Sequence, residues 1–465
     1  MDESLTVPVA SHAIVARIER LPASRSLLWV VILIAVGGWF EFYELFMPSA
    51  ISLGMVHDGI FTVRAQGLLD LRSFPSFLAS FFLGMFLSTL IFGRVSDLFG
   101  RRVVFIWSMA IYSVFQLLIA TSSSPLWIDL FRLMAGLAVG MQLINNDSFQ
   151  AEITPRRLRG RYMSISYAFI LTAVPISAFL GALLVPYVPL GVSGWRWVVI
   201  ISALGGVLVW MIQRGLPESP RWLEAHGRFV EADRALRQIE AKITAELGSL
   251  PPPDVAMAEP PATPGHWKDM FGARYLPRTI ALSVFQFLQT VAVFGFTSWV
   301  PILLVERGYT VLRSLEYTFL MLLLTPMGGI VAAYFAERVE RKWQLVLTAG
   351  GIGIFGFAFA FSSNIGLIVS SGALVTLSNN WLISVFHPYA AELYPTRIRA
   401  QALGFCFSWS RASAIFVGFG VSAILANWGE IGVFVMIGVA MLLIVLSIGI
   451  FGPRTNGRSL EDLSP

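Results

Sequence analysis

The sequence is short of charge, cysteine and histidine, and each shortage closes off a class of function. Lys, Arg, Asp and Glu together make up 13% of 465 residues, where a soluble domain usually carries about 25%. With 56% hydrophobic residues and a mean hydropathy of +0.72, too little polar surface remains to cover so large a core in water. One cysteine, Cys406, excludes an internal disulfide and a four-cysteine metal site. Its place inside an apolar run marks it as a small core residue. No GxxxxGK[ST] run is present, so no nucleotide-driven pump is signalled. No zinc, haem or nucleophile–base pattern marks an enzyme. The acids Asp2 and Glu3 precede the first basic residues, the reverse of a signal peptide's order. The formal charge of +5 comes from arginines scattered between apolar segments, which reads as membrane topology and not as a nucleic-acid surface.

What is abundant is apolar sequence in long runs. Twelve segments stand out, near 26–50, 74–93, 103–122, 125–147, 162–186 and 195–213, then 278–301, 316–336, 343–362, 365–388, 402–426 and 431–451. Each is long enough for a helix to cross a hydrocarbon core of about 30 Å, whereas a β-barrel would show alternating segments of about ten residues. The fold expected is an all-α membrane protein with twelve transmembrane helices. If both termini are cytoplasmic, the outside loops hold only Arg64, Arg72, Arg196, Arg307 and Arg313. Arg132 and Arg411 fall within spans, and the remaining 26 of the 33 basic residues are cytoplasmic. The expected location is therefore an inner membrane with both ends inside.

The chain divides six and six. A cytoplasmic segment 1–25 precedes the first half at 26–213. A central loop at 214–276 carries a polar helical stretch near 228–247 and a proline-rich tether, PPPDVAMAEPPATPGH, at 251–266. The second half covers 277–451, with a tail at 452–465. An internal repeat supports the division at an offset of 240 residues: AEITPRRLRG at 151–160 returns as AELYPTRIRA at 391–400. Gly93, Asp97, Gly100, Arg101 and Arg102 align in the same way with Ala333, Glu337, Glu340, Arg341 and Lys342.

GRVSDLFGRR at 93–102 resembles the signature loop of the major facilitator superfamily. PESPRW at 217–222, AELYPTRIRA and the tail GPRTNGRSLEDL narrow the resemblance to the branch of sugar porters, organic-acid:proton symporters and organic-ion transporters. It covers nearly the whole chain and implies two pseudo-symmetric six-helix halves working by alternating access around a central site. The motif charges agree physically. Asp97 closes a helix C-terminus, where the macrodipole disfavours an anion, so it calls for the cations that Arg101 and Arg102 supply. Asp97, Arg101, Arg102, Glu152 and Arg159, with Glu337, Arg341, Glu392 and Arg399 in the second copy, form the expected conformational latch.

Charges buried in spans carry the most information, because they are costly there and usually functional. Glu41 and Glu44, in GGWFEFYELF, share one helix face. They are similar to the acid-x-x-acid pair of this branch's organic-acid symporters, and Arg132 to its fourth-span arginine. Glu41 sits about 4–5 Å to the outer side of its span's centre and Arg132 about 6 Å. The two are thus placed to pair, and Glu41, Glu44 and Arg132 are the proton-coupling candidates, with Asp129 an interfacial neighbour. Arg411, in FSWSRASAIF, lies about 4–5 Å from the midplane. It resembles the eleventh-span arginine of organic-acid carriers, and its planar fork suits a carboxylate. Asn380, Gln289, Gln142 and Trp409 complete the substrate-binding candidates. Gln286, Asn145, Asn146 and Asn379 read as interhelical hydrogen-bonders, and His387 as a residue near a cytoplasmic helix end.

The function expected is a monomeric secondary transporter, not an enzyme, that brings in a small organic anion with protons. No cofactor is expected beyond the proton gradient, and the partners are the substrate, protons and the bilayer. A sugar or polyol:proton symporter is the nearest alternative, although the glutamine-rich seventh-span motif of sugar porters is incomplete in FQFLQTVAVFGF. A drug or metabolite exporter and a ligand receptor that does not transport are the others.

Overall fold

The structure is a computed structural model that describes residues 14–67, 70–91, 98–253, 266–336 and 338–455. Ten described helices are long and apolar enough to cross a membrane. The last of them breaks at Gly429, whose φ of 65° reverses the chain, and Phe74–Ile91 is a shorter apolar helix, so twelve spans result. The first six are Arg25–His57, Phe74–Ile91, Arg101–Thr121, Pro125–Ile153, the pair Arg156–Leu171 and Ala173–Leu184, and Gly194–Gln213. The second six are Leu276–Thr297, the pair Val311–Leu322 and Thr325–Phe335, Arg341–Phe361, Ile365–Glu392, and 396–428 and 430–451 within Thr396–Phe451. The fifth and eighth spans are each interrupted near their middle. The starts obey local chemistry: the Ser24 hydroxyl accepts from Leu27 N at 3.2 Å, and Asn364 Oδ1 accepts from Gly366 N at 2.8 Å.

The second and fourth spans cross where both offer glycine. A Cβ on Gly136 would strike the carbonyl of Phe81, and one on Gly84 the carbonyl of Leu133. With no apolar driving force between helices in lipid, such backbone approach is what holds them. Gly136→Leu is expected to cost about 3 kcal/mol or more by overpacking, read as loss of the monodisperse species in detergent chromatography.

Both described chain ends and the central segment meet on one side of the bundle, the terminal face. The amphipathic helix Phe229–Leu247 buries Ala232, Ala235, Leu236, Ile239 and Ile243. Ile14 and Ile18 pack against Ala232 and Leu236. Around that contact Arg17 pairs with Asp233 at 2.7 Å and with Glu240 at 2.5 Å, and Arg221 pairs with Glu19 at 2.7 Å. The carboxylate of Glu246 accepts from Arg25 N and Ser26 N, each at 2.8 Å, and so sits at the positive end of the first span. Partial burial pushes the Glu224 carboxyl up to about 7. A raised carboxyl stabilises the fold while protonated, and that contribution fades as pH climbs through about 7. Melting temperature is therefore expected to decline from about pH 5 to about pH 8, and Glu224→Gln to flatten the decline.

At the opposite face the halves are joined. Ala65 N donates to Ser422 Oγ at 2.8 Å, and Ser422 Oγ donates to the Val63 carbonyl at 3.3 Å. Arg64 meets Glu306 at 3.6 Å. Aromatic rings cross from half to half beneath these contacts, Phe74 on Trp299 at 5.7 Å and Phe82 on Phe294 at 4.6 Å between centroids. Towards the terminal face the halves part.

Candidate functional site

The parting leaves a cavity of about 600 Å³ between the fourth and fifth spans on one wall and the eighth, ninth and tenth on the other. Asp147, Gln150 and Tyr167 line the first wall; Gln344, Ser384 and His387 line the second. Above it, Phe46 meets Phe294 at 6.1 Å and Phe179 meets Phe319 at 5.5 Å, an apolar plug towards the opposite face.

Arg132 is completely buried and ion-pairs with Glu44, not with Glu41 as the depth arithmetic suggested. Glu44 stands one turn nearer the opposite face, the side on which Arg132 enters its own span. Tyr112 Oη donates to Glu44 at 2.8 Å, and Phe77 and Phe81 present their ring faces 4.5 and 4.4 Å from the Arg132 guanidinium carbon. Asp129 is buried with neither carboxylate oxygen bonded to a described residue.

Glu41 is released from that pair. It is 3% exposed, and its Oε1 lacks a hydrogen-bond partner among the described residues. Asp147 and Arg411 lie within electrostatic reach of it, as does Tyr167. Half-buried Arg411 spends Nη1 on its own helix, at the Phe407 carbonyl 3.2 Å away, and its Nε is unpartnered. His387 shares its surroundings, 5.1 Å from the Phe407 ring. An acid of the first span and an arginine of the eleventh thus lie within electrostatic reach of each other, with no ion pair between them among the described residues. Neither Asp147 nor Tyr167 stood out in the sequence.

The other substrate candidates fare differently. Gln142 is fully buried in the third-to-fourth span contact, where Ser108 Oγ donates to its Oε1 at 2.6 Å and its Nε2 has no partner among the described residues. Trp409 is placed elsewhere, lining a wholly apolar groove of about 490 Å³ on the flank of the seventh, eleventh and twelfth spans. Asn380 bonds its own helix at the Thr376 carbonyl, 2.9 Å, and packs on Gly328. Gln289 donates to Gln286 at 3.0 Å and keeps an unpartnered Oε1. Asn145 donates to the Arg101 carbonyl at 2.7 Å.

The motif charges brace each half internally. Arg101 meets Glu152 at 2.8 Å, and 240 residues on Arg341 meets Glu392 at 3.2 Å. Arg159 donates to the Thr154 carbonyl at 3.4 Å and Arg399 to the Tyr394 carbonyl at 3.1 Å, again one repeat apart. Arg102 N is held by Glu218 at 3.0 Å, and its side chain by the Arg214 carbonyl. Asp97 and Glu337 lie outside the described residues.

Two repeated six-helix halves, sealed at one face and parted at the other around buried charges, define a polytopic transporter. Residues 30–465 match the family described as Sugar (and other) transporter, and the chain belongs to it. It is 31% identical over 450 residues to the putative metabolite transport protein YyaJ of Bacillus subtilis, covering 96% of each chain. It is 29% identical to the niacin transporter NiaP of Acinetobacter baylyi, covering 97% of this chain and 99% of that one. In fold it is similar to the partially occluded inward-open form of the xylose transporter XylE from Escherichia coli, with a TM-score of 0.72 at 18% identity over 94% of this chain and 100% of that one. The chain is a transporter and not an enzyme.

Proposed function

We propose that the protein imports a small organic anion, a carboxylate on an aromatic ring, together with a proton. The observation that carries the reading is the electrostatic proximity of Glu41 and Arg411, each with a buried polar atom that lacks a partner among the described residues. An ionised Glu41 satisfies the arginine and leaves it little attraction for an anion. A protonated Glu41 frees the guanidinium for a carboxylate, so proton and cargo bind together. That is symport in electrostatic form, with both charges leaving as one neutral set. The relative that carries niacin, a pyridine carboxylate, supports this choice of cargo. The excess of arginine on the terminal side supports a cytoplasmic terminal face in an inner membrane, in which case this conformation opens inward. Glu44 and Arg132 then act as the fixed partner pair beside the switching acid.

The fold likeness to xylose transporters and the family's description favour a sugar as the competing cargo. Uptake of radiolabelled nicotinate, benzoate and xylose by proteoliposomes under an imposed pH gradient decides between them. Accumulation of the carboxylates is expected, and accumulation of xylose alone refutes the reading. Arg411→Lys keeps the charge but loses the fork. It is expected to weaken nicotinate binding by about 1.5–3 kcal/mol, roughly ten- to hundredfold.

A further inference from the structure

A proton on Glu41 needs a way out, and Glu41 itself does not touch the open water. It is nine-tenths buried and is not among the residues that line the cavity. Towards the opposite face the polar groups one turn on, Glu44, Arg132 and Tyr112, are fully buried and bonded to one another, and the rings of Phe46 and Phe294 pack alongside. Asp147 stands on the other side. It is exposed on the cavity wall, one and a half turns inside the fourth span, and within electrostatic reach of Glu41. Tyr167 lies within reach of both acids, lines the same cavity, and is held by Phe42, 5.8 Å away and edge to face.

We infer that Asp147 is the exit station through which a proton on Glu41 passes to the water of the terminal face. The inference rests on the proton-carrier reading of Glu41 above. The O–H bond of the Glu41 carboxyl breaks and one forms on the Asp147 carboxylate, the proton being relayed by an intervening water or by the Tyr167 hydroxyl, which takes one proton as it gives up its own. Asp147 then gives a proton to cavity water. Glu41 remains as a carboxylate beside Arg411, which is the step that ejects the anionic cargo. Six spans supply the charged and titratable groups facing this path: Glu41 from the first, Asp147 from the fourth, Tyr167 from the fifth, Arg341 from the ninth, His387 from the tenth and Arg411 from the eleventh. Two neighbouring carboxylates resist ionising together, so Asp147 is reprotonated from Glu41 only after its own proton has left. Net flow along the path follows the pH of the cavity water while the cavity is open.

Time-resolved infrared spectroscopy of the full-length protein in liposomes, without cargo, tests this. After a jump from about pH 5 to about pH 8, the carboxylic-acid band that Glu41→Gln removes is followed as it decays. Asp147→Asn is expected to slow that decay at least about tenfold, and Asp147→Glu to restore it, as for a relay with a matched acid. Asp147→Ser serves should Asp147→Asn fail to fold. An unaltered decay in the folded variant overturns the inference, and a loss of nicotinate binding in its place makes Asp147 a cargo contact. If the wild type has no band that Glu41→Gln removes, the carrier reading of Glu41 falls and the exit station with it. That outcome is distinct from a band decaying at an unchanged rate.

Discussion

Arg132→Met is expected to destabilise the protein by about 3–5 kcal/mol, because it strands Glu44 as an uncompensated charge at a fully buried position. The same substitution gives up two ring contacts from Phe77 and Phe81, worth about 0.5–2 kcal/mol each when desolvated. Glu44→Gln keeps a hydrogen-bonding group for Tyr112 but leaves the arginine buried without a counter-ion, and should cost nearly as much. The double variant Glu44→Gln/Arg132→Met is expected to recover most of the loss, since removing both charges also removes their desolvation cost. Thermal unfolding in one detergent, all four proteins side by side, measures this. Additive losses in the double variant would show that the two residues are not coupled.

Glu41→Gln is expected to spare the fold and abolish accumulation. A side chain that is already buried with an unpartnered oxygen loses little by becoming a neutral isostere. Transport energetics change far more. One proton moving with each monovalent anion converts each pH unit into about a tenfold concentration ratio. Under a gradient of about two pH units, wild-type proteoliposomes should therefore hold nicotinate at about a hundredfold excess inside. Glu41→Gln, with Arg411 permanently free, should equilibrate nicotinate at a ratio of about one while still exchanging it across the membrane. Counterflow and net uptake, measured on the same vesicles, separate these two quantities.

The twelve spans and the two-fold repeat were legible because membrane crossing imposes length and apolarity on every segment. The offset of 240 residues carried further than motif recognition. It marked Arg101 and Arg341, and Glu152 and Glu392, as repeat-related positions, and the structure uses them alike, Arg101 with Glu152 and Arg341 with Glu392, a pairing the sequence reading had not made. The partner of Arg132 was harder. Glu41 and Glu44 differ by only about 4.5 Å of depth. The first span proved to be Arg25–His57, longer at its far end than the apolar run 26–50, which moves its centre to Glu41 and leaves Glu44 as the outer acid. Asp147 escaped notice for a related reason. The apolar run ended at 147, so the aspartate read as a helix end, whereas the helix continues to Ile153 and carries it inside. Trp409 shows the limit of depth alone. It stands two residues from Arg411, about 200° around the helix, so a shared site was already disfavoured by phase. Gln142 had no such signal: in a span apolar on all sides, nothing in the pattern says which face meets a neighbouring helix.

The claim that proton and anion travel together is tested most directly by watching the proton. Vesicles loaded with a pH-sensitive dye, with no initial pH difference and the membrane voltage clamped, receive nicotinate on the outside. Wild-type protein is expected to acidify the lumen faster than empty vesicles do, in step with nicotinate entry, and Glu41→Gln to admit nicotinate without that acidification. Nicotinate entry through the wild type with no added acidification, or acidification that persists unchanged in Glu41→Gln, would contradict the account.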